Sequence, residues 1–308
     1  MNGNKRLVGM AGLVLVAFFW GMTFTVIKEA LDDVPVAFFL AQRFLLAFGL
    51  LFVARPLAKA PLNTYTLGRG VLLGGLVVMG YALQTVALID TTASNTAFLT
   101  GLNVVWVPIL AVPLLKRRLE APKAVGAVLA VGGIYLMCGL LGGEGLGHVN
   151  RGDLLALACS VFFALHILYT GRYASRCDSY WLAVIQLGTI GVLCGGAALA
   201  KGQPLFSWKP EIAVALILCS FLATVLPFLI QTTVQKWVSP SDTALIFCLE
   251  PVFAALFAWV LAGEAMGRME YGGAALILLG MVVSERWKMG KGEGQRLKAK
   301  GEGLRAKG

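Results

Sequence analysis

The stretches "QTVALIDTTASNTAFLTGLN" (84–103) and "QTTVQKWVSPSDTALIFCLE" (231–250) lie 147 residues apart and read as two copies of one pattern. Gln84 and Thr85 meet Gln231 and Thr232, and Ser94, Thr96 and Ala97 meet Ser241, Thr243 and Ala244. At the same offset the match runs on without a gap to 137 and 284, with Leu102, Val105, Ala111, Leu114, Gly126, Ala127, Leu129 and Gly133 meeting identical residues. Leucine-rich segments match by chance, but a repeated pair of glutamines inside apolar sequence does not follow from composition. Upstream the offset becomes 144, where Gln42 meets Gln186, so a slip of three falls in the loop before the eighth apolar block.

The chain around these copies is 308 residues long, 58% hydrophobic and 14% charged, with mean hydropathy +0.80. A soluble domain carries about 25% charged residues, so the deficit places the chain in a membrane. The apolar residues fall in ten blocks, about 7–27, 35–54, 70–89, 93–115, 122–141, 152–171, 180–200, 212–235, 240–262 and 269–286. Each has about the length a helix needs to cross roughly 30 Å of hydrocarbon. The first follows Lys5 and Arg6 as a signal peptide would. It outruns a signal h-region and has no small-x-small site after it, so it reads as a retained span. The six cysteines (Cys138, Cys159, Cys177, Cys194, Cys219, Cys248) show no CxxC pair and no metal spacing, and read as packing residues.

Lysine and arginine set the orientation. With the N-terminus in the cytoplasm, cytoplasmic segments hold 20 of these residues and outer loops 5, with Arg43 inside a span. Both termini are then cytoplasmic, which agrees with ten spans. The net charge of +10 owes much to the tail, "KGEGQRLKAKGEGLRAKG" (291–308) and the residues just before it. Its glycine-rich, aromatic-poor composition is that of a disordered segment, with a topogenic and lipid-headgroup role rather than a nucleic-acid one.

Each copy holds five blocks, and an odd number turns the second copy upside down in the bilayer. The expected fold is all-α and integral to the membrane, with ten transmembrane helices in two inverted five-helix repeats. The repeats are 1–144 and 145–286, followed by a basic cytoplasmic tail, 287–308. Substrate in such folds is held near the midplane where the repeats meet.

The ordered set "FFWGMTF" (18–24), "QRF" (42–44), "YALQTVALIDTTASNTAFLTGLNVVWVPIL" (81–110), "LEPVFAALFAWVLAGE" (249–264) and "GGAALILLGMVV" (272–283) resembles the drug/metabolite transporter superfamily. Within it, the set is similar to EamA-type members with ten spans and two repeats, over about residues 7–286. The resemblance implies export of amino acids or similar metabolites from a prokaryotic cytoplasm, with proton linkage an option. The chain departs from the pattern at "LLKRRLE" (114–120), where such proteins often carry an acid near Arg117.

Loops are short and no GxxxxGK[ST] stretch is present, so the chemistry rests on side chains at membrane depth and energy on a gradient. Charges there are costly, about 2.5–3.5 kcal/mol each on insertion scales, which makes them informative. Glu250 is roughly 14 Å in from the cytoplasmic end of its span and Arg43 roughly 11 Å below the outer face, so the two could meet. Two readings stand for Glu250: a buried ion pair with Arg43 that fixes packing, or a cavity-facing carboxylate that carries a proton or recognises an ammonium. Pro251 cannot donate to the Phe247 carbonyl and bends the helix beside the acid. Glu264 reads as an interfacial charge.

Uncharged candidates for a translocation site are Trp20, Thr23, Tyr81, Gln84, Thr85, Asn103, His166, Tyr169, Gln186 and Gln231, with Thr100 and Thr232 in the same class. Tyr81, Gln84 and Thr85 share one helix face, and His166 and Tyr169 another. Each could instead bond helix to helix without a ligand. Asn103 is the repeat partner of Glu250, giving one amide and one acid.

The leading expectation is a secondary transporter of a small organic substrate in the cytoplasmic (inner) membrane, working by alternating access, monomeric or homodimeric. One carboxylate among neutral donors and aromatics suits a zwitterion or amine, while a single intramembrane arginine is too few for phosphates. A nucleotide-sugar or lipid-linked substrate is the alternative within the class. A non-transporting scaffold or receptor is a second class and an intramembrane enzyme a third. The third lacks a nucleophile–base pair or a metal cluster at depth, so no enzyme, cofactor or metal is expected.

Overall fold

The computed structural model describes residues 3–58, 60–91, 93–116, 119–137, 150–205, 210–262, 267–269 and 271–284. The basic tail, Cys138, His148, Arg117 and Glu264 lie outside them. The described chain is helical: α1 (Gly3–Asp33), α2 (Val36–Val53), α3 (Thr64–Asp90), α4 (Ala93–Gly101), α5 (Asn103–Leu115), α6 (Ala121–Met137), α7 (Arg151–Tyr173) and α8 (Ser179–Ala200). There follow α9 (Pro210–Ser220), a π-turn (Phe221–Val225), α10 (Leu226–Val234), α11 (Pro240–Phe247), α12 (Glu250–Ala262) and α13 (Tyr271–Ser284). Three rods are composite: α4 with α5, α9 with α10 through the π-turn, and α11 with α12.

Among the described residues, eight helices are long and apolar enough to cross a membrane. Two shorter apolar helices, Ala121–Leu136 and Tyr271–Ser284, occupy the fifth and tenth places. Apolar side chains such as Val53, Val128, Val192, Val214 and Trp259 face outward, as a lipid-facing surface requires.

Local chemistry starts several helices. Asn63 accepts from Thr66 N at the head of α3, and Asp178 from Tyr180 N and Trp181 N at the head of α8. Asn150 and Asp153 form a reciprocal capping box on α7, and Ser239 with Pro240 opens α11. Each pairs backbone N–H groups that a helix start leaves without partners.

Packing directions follow from close contacts. A Cβ on Gly126 of α6 would meet the Gly280 carbonyl of α13 at 2.8 Å, and one on Gly133 would meet the Gly273 carbonyl at 2.5 Å. The glycines let the two backbones touch. As one helix ascends the other descends, so α6 and α13 are antiparallel. They are the fifth helices of the two copies, and the 147 offset carries Gly126 onto Gly273 and Gly133 onto Gly280. The second helices, α2 and α8, also run antiparallel, with Gly188 against Phe48 and Gly191 against Leu45. Equivalent helices packed head to tail are what a two-fold axis perpendicular to them produces.

The copies interleave. α3 packs on α7 and its counterpart α9–α10 packs on α1, while α4–α5 packs on α7 and α11–α12 on α1. Two apolar clusters result, each built from both copies. One joins Leu13, Val107, Ile134, Leu168 and Ile246, and the other joins Phe39, Phe44, Leu187, Ile190 and Phe228. A cavity lined by residues of both lies between them.

Candidate functional site

The cavity, about 90 Å³ in volume, is lined by residues of α1, α2, α3, α4, α5, α7, α10, α11 and α12. On the scale where one water needs roughly 10–15 Å³, it holds about six to nine waters or a compact solute. Helices α6 and α13 contribute nothing to its wall.

Two helix interruptions meet at it. In the second copy α11 ends at Phe247 and α12 begins at Glu250. Between them, Cys248 N bonds Leu245 O (3.3 Å) and Leu249 N bonds Ile246 O (3.0 Å), a tightened i−3 turn. Pro251 has no N–H for the Phe247 carbonyl, so the interruption sits where the sequence placed a bend. In the first copy the helix breaks at Leu102, the counterpart of Leu249. There Leu102 N bonds Leu99 O (3.3 Å) and the Asn103 amide donates to Thr100 O (3.1 Å). No proline causes this second break, and the sequence did not announce it.

Glu250 and Asn103 thus occupy matching positions, each the first residue of a resumed helix. Asn103 is buried, and its Oδ1 has no hydrogen-bond partner. Among the described residues the Glu250 carboxylate has no ion-pair or hydrogen-bond partner either, and it lies on the cavity wall. The start of α12 is held close to α1 by Gly21, where a Cβ would come within 2.7 Å of the Glu250 carbonyl oxygen. The adjacent Trp20 enters the cavity and packs edge-on against Phe247 at 4.8 Å.

Of the two readings of Glu250, the ion pair with Arg43 is not made among the described residues. Arg43 Nε donates to Thr224 Oγ1 (2.8 Å) and Nη2 to the Ala223 carbonyl (3.1 Å). The guanidinium carbon lies 5.3 Å from the rings of Phe44 and Tyr81, within cation–π range. The reason is the π-turn. Pro227, four residues past Ala223, has no N–H to offer that carbonyl, which instead accepts from Arg43 and from Trp20 Nε1 (3.0 Å). Arg43 is buried on the cavity wall, with two of its N–H groups bonded to the π-turn behind it.

Nine of the eleven translocation candidates line the cavity: Trp20, Thr23, Tyr81, Gln84, Thr85, Asn103, His166, Gln231 and Glu250. Thr100 joins them and bonds Gln84 Nε2 (3.4 Å). Gln186 stands behind the wall. Its Nε2 donates to Leu182 O (2.9 Å), which turns Oε1 to His166 Nε2 at 2.7 Å. With Oε1 as the acceptor, His166 Nε2 is the donor of this bond. Tyr169 is not among the residues that line the cavity; it stacks on Tyr173 at 5.8 Å and packs against the cluster that holds Leu73. A four-residue step along α7 carries the stacked rings onto the flank facing α3. Thr232 bonds the Ser179 and Phe228 carbonyls and also lies off the wall. Sequence reasoning missed the apolar lining, Ile27, Leu40, Leu88, Phe163, Ile167 and Phe247, because apolar residues in a lipid-soluble chain carry no local signal.

The EamA-like transporter family model matches the chain twice, at residues 7–139 and 150–285. The chain belongs to the EamA-like transporter family. This places it in the drug/metabolite transporter superfamily, as a multi-pass membrane protein of two EamA copies. An uncharacterized transporter of Archaeoglobus fulgidus is 34% identical over 288 residues, 92% of this chain and 87% of that one. A probable amino-acid metabolite efflux pump of Salmonella typhimurium is 28% identical, over 88% of this chain and 92% of its own. Its namesake in Escherichia coli is 26% identical, over 89% and 95%. A solved crystal structure superposes with TM-score 0.76 at 18% identity, covering 93% of this EamA chain and 98% of the other, which shows a shared fold.

Proposed function

We propose that this EamA-family protein is a secondary transporter that exports small organic metabolites, amino acids foremost, across the cytoplasmic membrane by alternating access. The observation that carries the reading is the cavity itself. A carboxylate and an amide, the carboxylate and the amide oxygen without partners among the described residues, sit at matching helix breaks beside a cavity to which both copies contribute. Broken helices at a repeat interface are where transporters of this architecture hold substrate. In this reading ten helices span the bilayer in two inverted repeats, 1–144 and 145–286, with the 287–308 tail and both termini in the cytoplasm. The antiparallel crossing of α6 and α13 supports the inversion, and the 20-to-5 split of Lys and Arg supports the orientation. The two relatives named as amino-acid metabolite efflux pumps support the substrate class.

Counterflow in proteoliposomes tests it. Vesicles preloaded with unlabelled amino acids should accumulate trace radiolabelled amino acid only when the protein is present. A panel of amino acids, amines, carboxylates and nucleosides that all fail to exchange would sink the reading.

A further inference from the structure

We infer that the cavity recognises its substrate as a zwitterion, with the ammonium on Glu250 and the carboxylate on Arg43. The inference rests on the transporter reading above and deepens it, because it assigns the two poles of the substrate to named atoms.

The argument begins with two opposite charges on one cavity wall that do not pair. In a water-poor interior the attraction between unit charges is several times that in bulk water, so direct pairing is the expected outcome when both side chains can reach. Here neither reaches the other. Arg43 is tethered away by Thr224 Oγ1 and the Ala223 carbonyl, and the tether is built into the backbone by Pro227 and the π-turn. Glu250 is fixed as the first residue of α12, with Gly21 drawing its backbone against α1. Both face the same small cavity. A solute with a cationic and an anionic end satisfies both, while a solute with one charge leaves the other buried charge uncompensated.

The donor and acceptor inventory fixes which end goes where. Tethering of Arg43 uses Nε and Nη2 and not Nη1. A guanidinium offers only donors, so its ligand is an acceptor such as a carboxylate. At the other pole stands the Glu250 carboxylate, which has no polar partner among the described residues. A carboxylate is an acceptor, and a primary ammonium with three N–H donors suits it. Trp20 lies between the poles in bonding terms: its indole shares the Ala223 carbonyl with Arg43, and its ring packs on Phe247 next to the α12 start.

The test is isothermal titration of the purified full chain in detergent with the protein amino acids and, for each one bound, its decarboxylated amine, its deaminated acid and its N-trimethyl form. On the unaltered protein each of the three analogues should bind about ten- to a hundredfold more weakly than the parent, the loss expected for one charge-assisted contact. In Glu250→Gln the penalty for the deaminated acid should largely vanish while that for the amine persists, and Arg43→Gln should do the reverse. Should Arg43→Gln fail to fold, the analogue series on the unaltered protein decides alone. An amine or acid that binds within about threefold of its parent overturns the inference. So does binding of amines, anions or neutral solutes with no amino acid bound, and that outcome leaves the transporter reading standing. If nothing is bound and nothing exchanges in counterflow, both fall.

Discussion

At the residue scale, Glu250 and Arg43 differ in how they are supported, and this separates their variants. Glu250 makes no polar contact with a described side chain, so removing its charge breaks no protein bond. Glu250→Gln should insert, stay monodisperse and melt within about 1 kcal/mol of the parent, while counterflow of amino acids falls to background. Arg43 by contrast holds two helices together through Thr224 and Ala223 and lies against two rings. Arg43→Gln should lose about 2 kcal/mol or more, since hydrogen bonds to a charged group contribute roughly 1.5–3 kcal/mol each. Thermal melts in detergent beside flux measurements check both. A Glu250→Gln protein that melts early, or that keeps full flux, contradicts the assignment. The identity of these residues was legible in the sequence because a charge in an apolar run is conspicuous. Their relation was not. The tether on Arg43 comes from a carbonyl freed by Pro227 about 180 residues along the chain, and no local pattern links the two.

At the element scale, the composite rods show what one-dimensional reading sees and what it misses. The Glu250–Pro251 break was visible because proline removes a donor at a known place. The matching break at Leu102 carries no proline, and Val104 stands where Pro251 stands in the second copy. What opens the helix there is the Asn103 amide, which takes the Thr100 carbonyl in place of a backbone donor, and that bond becomes apparent only with the fold. The α6–α13 seam gives a sharper test. A side chain at Gly133 would push on the Gly273 carbonyl and on Ile277. Gly133→Leu should therefore destabilise by about 1–3 kcal/mol or more, the range for overpacking a close interface. Gly75→Leu, at a glycine with nothing within 4 Å of a built Cβ, should leave the melting temperature almost unchanged. Equal effects at both positions in a detergent thermal-shift assay would mean that the seam is not close-packed as described.

At the scale of the whole molecule, the inverted relation makes any feature present at one end and not at the other informative about the balance of states. Asp242, buried at the head of α11, pairs with Arg6 of α1 at 3.3 Å and with Lys123 of α6 at 3.2 Å, while Ser239 Oγ donates to it at 2.7 Å. The cluster fastens together the ends of three helices, all on the side where the N-terminus lies. The repeat offsets carry Arg6, Lys123 and Asp242 onto Asn150, Glu270 and Asn95, a set with one charge in place of three. The sequence therefore does not repeat the charge cluster at the opposite end. Alternating access, as proposed, requires the N-terminal end to open in its turn, which means parting α1 and α6 from α11. Asp242→Asn keeps the side-chain shape and the helix-start geometry but removes the charge that both cations share. The expected outcome is a population shift toward the state open on the N-terminal side. A cysteine placed at Gln231 on the cavity wall should become more reactive to membrane-impermeant reagents applied from that side and less reactive from the other. A shift of about tenfold in the ratio of the two labelling rates corresponds to about 1.4 kcal/mol of bias. An unchanged ratio in a folded variant would mean that the cluster staples the helices in every state and takes no part in opening.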